Sequence, residues 1–258
     1  MNKKKIRIAL ITICAAVIVF EVINIFAEQK DLAGSAKRYE TLRNQYAPSG
    51  ADSSKADTED AFPEINVDFK GLKGINEDVT AWLYIPCLDI SYPVVKENDI
   101  DEYLYLSFDK KKSSAGCLFE DVLSDEKFCG RHDMIFGHNM KDGSMFGKLK
   151  KVYASGNENL IKDNPYVYVM TEDVVYRYEI FAYETTKVGS EAYSALISDE
   201  EYDAYLKYVL ANNGWNSEKE YDFADRPSIL TLSTCSGMAG GNKRFVIHTY
   251  KVGEKILM

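Results

Sequence analysis

The chain has 258 residues, 46% hydrophobic and 28% charged, enough for one domain of ordinary size plus appendages. That charged share is too high for a protein that crosses a membrane many times. A formal net charge of -9 argues against a nucleic-acid partner, which calls for a basic surface.

The N-terminal sequence MNKKKIR places Lys3, Lys4, Lys5 and Arg7 ahead of and beside an apolar run over residues 8–20. Glu21 and Asn24 interrupt the run, and apolar residues then resume as far as Ala27. A helix over residues 6–27 covers roughly 33 Å at ~1.5 Å per residue, enough to cross a bilayer. The basic flank belongs in the cytoplasm, which leaves everything after Ala27 outside. A cleavable signal peptide is the competing reading, because the uninterrupted apolar core is short. No A-x-A cleavage site follows it, so residues 1–27 are expected to be an uncleaved single-pass anchor in the cell membrane.

Residues 28–47 have helical composition and lead away from the membrane. Residues 48–64, PSGADSSKADTEDAFPE, are polar and acidic and read as a linker or exposed loop. The expected division is therefore an anchor (1–27), an extracytoplasmic helical and linker segment (28–61), and one folded domain (62–258).

Within that domain, short stretches rich in Tyr, Val, Ile and Phe alternate with turn signals: AWLYIP, ISYPVV, GCLFED, DMIFGH, YVYVM, VVYRYEIFAYETT, SILTLSTC and RFVIHTYKV. Many short strands without alternating helices predict a mainly β fold, an antiparallel sheet closed into a barrel. One long helix interrupts the late strands. Ser198 and Glu201 fit a capping box, and Tyr202, Tyr205, Leu206, Val209 and Leu210 follow at helical spacing until Asn212, Asn213 and Gly214. A shorter helix is expected around FGKLKKVYA.

Five cysteines are present, with Cys14 inside the anchor. Cys87, Cys117, Cys129 and Cys235 face an oxidising compartment, and their spacing fits no metal pattern such as CxxC. Acidic stretches such as DEEYD and DTED read as solvated faces, so neither metal nor cofactor is expected. If Cys235 in TLSTCSG is a nucleophile it must stay free, and the other three then allow one bridge at most. Small buried hydrophobic side chains are the plainer reading of those three.

A thiolate attacks where a thiol hardly does, so a nucleophilic Cys235 needs a partner that manages its proton. Three histidines compete for that role. His138, in MIFGHNM, ends a strand-like run beside Gly137; His132 lies in the turn GRHD; His248 lies within RFVIHTY. The position of His138 suits a cleft best. Arg244 opens the run after a glycine-rich turn, nine residues beyond Cys235. If the two runs pair as a hairpin, both residues sit at one end of the sheet, where a guanidinium can donate to an oxyanion. In strict alternation Arg244, Val246 and His248 share a face, which keeps His248 as a rival to His138.

MIFGHNM, TLSTCSG and NKRFVIH together resemble the histidine, cysteine and arginine motifs of sortases, the membrane-anchored transpeptidases of Gram-positive bacteria. Residues 75–95, 101–121 and 137–149, with the late helix near 198–211, are similar to class B of that family, and the resemblance spans residues 62–258. It implies a sortase-type barrel with a groove for a sorting peptide, with His138, Cys235 and Arg244 as catalytic residues. It further implies surface proteins bearing a C-terminal sorting signal as one partner and a peptidoglycan precursor or cross-bridge amine as the other. Cleavage is then expected after a threonine, through a thioester. A pilin-polymerising sortase, a cysteine protease that hands the acyl group to water, and an inactive peptide-binding module remain alternatives.

Overall fold

In a computed structural model of the chain, residues 3–48, 62–157, 159–215, 217, 219–236 and 241–257 are described. Most of the expected linker, residues 49–61, lies outside them, as does the turn at 237–240. Four α-helices are described: α1 (Lys3–Tyr46), α2 (Phe69–Lys73), α3 (Leu160–Asp163) and α4 (Asp199–Asn212). Eight strands follow the apolar stretches of the sequence: β1 (Val79–Ile85), β2 (Ile90–Lys96), β3 (Leu118–Glu120), β4 (His132–Phe136), β5 (Tyr166–Met170), β6 (Val174–Lys187), β7 (Ile229–Cys235) and β8 (Lys243–Ile256). The region expected to be a short helix forms a 3-10 helix at Leu149–Tyr153.

The strands close into a barrel in the order β1-β2-β3-β4-β7-β8-β6-β5. Six seams are antiparallel, and the seams β2–β3 and β4–β7 are parallel. The parallel β4–β7 seam requires a long crossover, and the chain between those strands contains β5, β6 and α4. A parallel pair ends at one edge of the sheet, so the residues just beyond β4 and β7 emerge side by side.

Alternation along β7 and β8 divides the apolar residues into two layers. Leu230, Leu232, Phe245 and Ile247 point into the barrel and join its main core with Trp82, Leu83 and Tyr178. Ile229 and Tyr250 point outward and pack with Tyr202, Tyr205, Leu206 and Val209 of α4. Those four tyrosine and aliphatic residues form the buried stripe of the helix. Its capping box is formed as the sequence predicts: the Ser198 hydroxyl accepts from the Glu201 N–H, and the Glu201 carboxylate accepts from the Ser198 N–H.

Helix α1 is continuous over 44 residues. Its apolar residues from Leu10 to Phe26 are exposed, and it is long and apolar enough to cross a membrane. From Asp31 onward it is docked on the barrel, with Tyr39 and Leu42 buried.

Candidate active site

Cys235 is the last residue of β7 and Arg244 the second of β8; the two are register partners in the hairpin. On the other side of β7, Phe136 pairs with Ser233. Two bonds hold the chain beyond this pair: Gly137 N–H donates to the Ser233 carbonyl at 3.1 Å, and Thr234 Oγ1 donates to the Gly137 carbonyl at 2.7 Å. Extending the register by two residues brings His138 alongside Cys235. The three residues thus form one row across β4, β7 and β8 at one edge of the sheet, and each is half-buried. By alternation from Ile229, the row faces the outer side of the barrel wall, the side that carries α4.

Gly137 is dictated by close packing: a Cβ there would lie 2.3 Å from Leu118 Cδ2 and 2.9 Å from Phe146 Cδ2. The His138 ring is fixed by its neighbours. Its Nε2 lies 2.6 Å from the Leu104 carbonyl, which can only accept, so Nε2 carries a hydrogen and Nδ1 is left for proton exchange. Tyr105 flanks the ring at 5.6 Å between centroids. The carbonyl of His138 accepts from Phe146 N–H at 3.0 Å, which closes the following loop. Arg244 Nη1 donates to the carbonyls of Gly241 and Lys243 at 2.9 and 3.0 Å.

The other two histidines are placed elsewhere. His132 Nδ1 donates to the Ser194 carbonyl at 2.8 Å, and its Nε2 lies 2.8 Å from Thr231 Oγ1. Tyr205 OH reaches His248 Nδ1 at 2.9 Å and Thr231 Oγ1 at 3.1 Å, beneath α4. His248 Nε2 lies 3.6 Å from Glu184 Oε1. Burial pushes His132 down to about 4 and lowers His248 as well, so both are neutral at physiological pH. His248 does share the outward face with Arg244, as alternation predicts, but it is fully buried and belongs to a structural network.

The remaining thiols outside α1 differ from one another. Burial pushes Cys87 and Cys117 up to about 12, which suppresses their thiolates. Cys129 is exposed, with its sulfur 3.5 Å from Tyr176 OH. All five cysteines are free.

One residue beside the row, Tyr193, carries no signal in the sequence. Tyr193 lies in the β6–β7 connection, stacks on Phe136 at 6.2 Å and shares a 2.8 Å hydrogen bond with Ser233, two residues before Cys235. Burial pushes its phenol up to about 12, so it remains a neutral hydrogen-bonding group. A cleft of about 390 Å³ lies against the outer side of β4, with Met134, Tyr193, Leu196 and Ile197 in its wall.

The chain matches the Sortase domain family over residues 83–252. It is 31% identical over 201 residues to the Sortase B of Listeria monocytogenes, which covers 76% of this chain and 80% of that protein. The crystal structure of sortase B from B. anthracis in complex with AAEK1 superposes with a TM-score of 0.70 at 27% identity, covering 86% of this chain and 98% of the other. Sortase B of Clostridium perfringens superposes with a TM-score of 0.64 at 29% identity, covering 71% and 99%.

Proposed function

Because the chain belongs to the sortase family, in its class B, and is a cysteine transpeptidase, we propose that Cys235, His138 and Arg244 carry its reaction on a C-terminal sorting signal. One observation supports this reading: the β4–β7 and β7–β8 registers run residues 138, 235 and 244 to one edge of the sheet, where β4 and β7 end and β8 begins.

The Cys235 thiolate attacks the carbonyl carbon of a threonine in the sorting signal and forms a carbon–sulfur bond. Negative charge moves to the carbonyl oxygen, where the Arg244 guanidinium and backbone N–H groups stabilise it. Collapse of this intermediate breaks the peptide bond, and protonated His138 gives the leaving nitrogen its proton through Nδ1. A thioester and neutral His138 remain. A peptidoglycan amine then attacks the thioester, His138 takes up the proton released, and the sulfur leaves as thiolate. The product is a surface protein joined to the wall through an amide. The Leu104 carbonyl keeps the other ring nitrogen protonated in both half-reactions, so the same nitrogen serves as acid and then as base.

Exposed apolar residues along α1 and the basic N-terminus support a single-pass anchor with the barrel outside the cell. Such an anchor holds the site at the face where exported substrates and lipid-linked wall precursors meet.

The test is incubation of the full-length protein with a library of sorting peptides and a short amine, followed by intact-protein and product mass spectrometry. The expected result is an acyl adduct on Cys235, absent from Cys235→Ala, and an amide product. An adduct on another thiol would overturn the assignment of the nucleophile. Hydrolysis alone would favour the protease reading.

A further inference from the structure

The docked half of α1 bonds to the loop at residues 107–116, in the β2–β3 connection that also supports His138. Asp31, Ser35, Arg38, Tyr39 and Leu42 follow helical spacing and lie on one face of α1. The first four bond to residues 107–116 in turn. Asp31 Oδ2 accepts from the Ser114 N–H at 2.8 Å. Ser35 Oγ lies 2.7 Å from Ser113 Oγ. Arg38 Nη1 donates to Asp109 Oδ1 at 2.9 Å and to Ser107 Oγ at 3.2 Å. Tyr39 OH donates to the Gly116 carbonyl at 2.7 Å and accepts from the Phe108 N–H at 3.2 Å.

The opposite side of the same loop meets the imidazole. The Leu104 carbonyl accepts the His138 hydrogen bond. Gly116 has φ +60, and a Cβ there would lie 2.6 Å from the Leu104 carbonyl oxygen and 3.1 Å from His138 Cδ2. Gly116 is thus the thin point of the loop, with Tyr39 bonded to its carbonyl and the His138 ring packed against its Cα.

On the assignment of His138 as acid and base, we propose that Tyr39 is a positioning residue for it. Through Gly116 and the Leu104 carbonyl, the helix that carries the apolar span fixes the ring and its tautomer. The anchor helix is on this account a working part of the site as well as a tether.

Tyr39→Phe keeps the ring that packs edge-on against Tyr92 at 5.5 Å and removes only the hydroxyl with its two hydrogen bonds. The experiment uses the full chain in lipid nanodiscs, selectively 15N-labelled at its three histidines. Peptide cleavage gives kcat and KM, and the His138 resonances, assigned by their loss in His138→Ala, give the ring tautomer. Tyr39→Phe is expected to lower kcat about three- to tenfold with KM within about twofold. The His138 nitrogens are expected to shift from a single Nε2–H form towards a tautomer mixture. Arg38→Ala, which weakens the same docking away from Leu104, is expected to lower the melting temperature and leave both readouts unchanged. Unchanged kcat and ring resonances in Tyr39→Phe would overturn the proposal, as would an equal loss of kcat in Arg38→Ala. Full turnover in His138→Ala would instead overturn the acid–base role, because the ring resonances report positioning whatever the turnover.

Discussion

Arg244 stands directly opposite Cys235 across the β7–β8 seam, yet its guanidinium is bonded to the carbonyls of Gly241 and Lys243 in its own turn. The register delivers the arginine to the side of Cys235, and the local turn holds its head group. Bonds to solvent-accessible carbonyls are easily exchanged for water or for a ligand. An arriving peptide carbonyl that develops negative charge is a stronger acceptor than either of them. Arg244→Ala is therefore expected to lower kcat by about 100-fold or more, the usual loss for an oxyanion donor. Arg244→Lys should recover only part of that loss, because an ammonium lacks the planar fork. Steady-state kinetics with a cleavable sorting peptide make the measurement. A KM effect with unchanged kcat would assign Arg244 to ground-state binding.

Gly116 gives a second test, one that separates chemistry at sulfur from chemistry at the imidazole. Its left-handed backbone and its approach to Leu104 leave no space for a methyl group. Gly116→Ala is expected to destabilise the fold by about 1–2 kcal/mol and to move the Leu104 carbonyl away from His138. Turnover should fall at least tenfold. Alkylation of Cys235 by a small thiol reagent should continue. Loss of both in equal measure would mean that the loop supports the whole row.

Much of this architecture is legible in the sequence, for reasons that differ by element. The strands are visible because each is a dense run of β-branched and aromatic residues bounded by turn signals, and α4 is visible because its cap and its stripe agree. Cys235 and Arg244 are legible as a pair because a hairpin fixes register locally. His138 reaches Cys235 only through a parallel seam between strands far apart in sequence, and no local pattern encodes that pairing. The resemblance to sortases supplied it. Tyr193 was illegible for a related reason: its position depends on how the β6–β7 connection folds over Phe136. The docking of α1 was also hidden, since a sequence of helical composition before a polar segment does not say which loop it will cover.

The network beneath α4 predicts a stability effect without a catalytic one. Tyr205 OH lies within hydrogen-bonding distance of His248, Thr231 and His132. Tyr205→Phe leaves these buried groups with one partner fewer, at a cost of about 1–3 kcal/mol. Chemical denaturation should show the loss, while activity per folded molecule stays within about twofold. A large fall in kcat at unchanged stability would return His248 to candidacy as a proton-transfer group.

The carboxylates on the far side of β4 give the chain a pH-dependent stability whose sign can be worked out. Glu120 is fully buried; its Oε2 accepts from Thr80 Oγ1 at 3.1 Å, and Lys96 Nζ stands 3.8 Å from its Oε1. Burial pushes Glu120 up to about 8 and Asp133 up to about 6, whereas unfolded carboxylates titrate near ~4. Between about pH 4 and 8 the folded chain therefore binds more protons at these groups than the unfolded chain, so their contribution to stability falls as pH rises. His132 acts in the other direction. Burial pushes it down to about 4, below the unfolded value of ~6.5, so its contribution is lost as pH falls through that window. His248, also lowered by burial, has the same sign. The opposing slopes offset one another below about pH 6.5, and above it Glu120 acts without opposition from the histidines. The melting temperature should thus decline from about pH 6.5 to 8, and Glu120→Gln should flatten that decline while keeping the bond from Thr80. A wild-type profile that is level over this range, or an equal slope in Glu120→Gln, would show that Glu120 is already ionised in the folded protein and paired with Lys96.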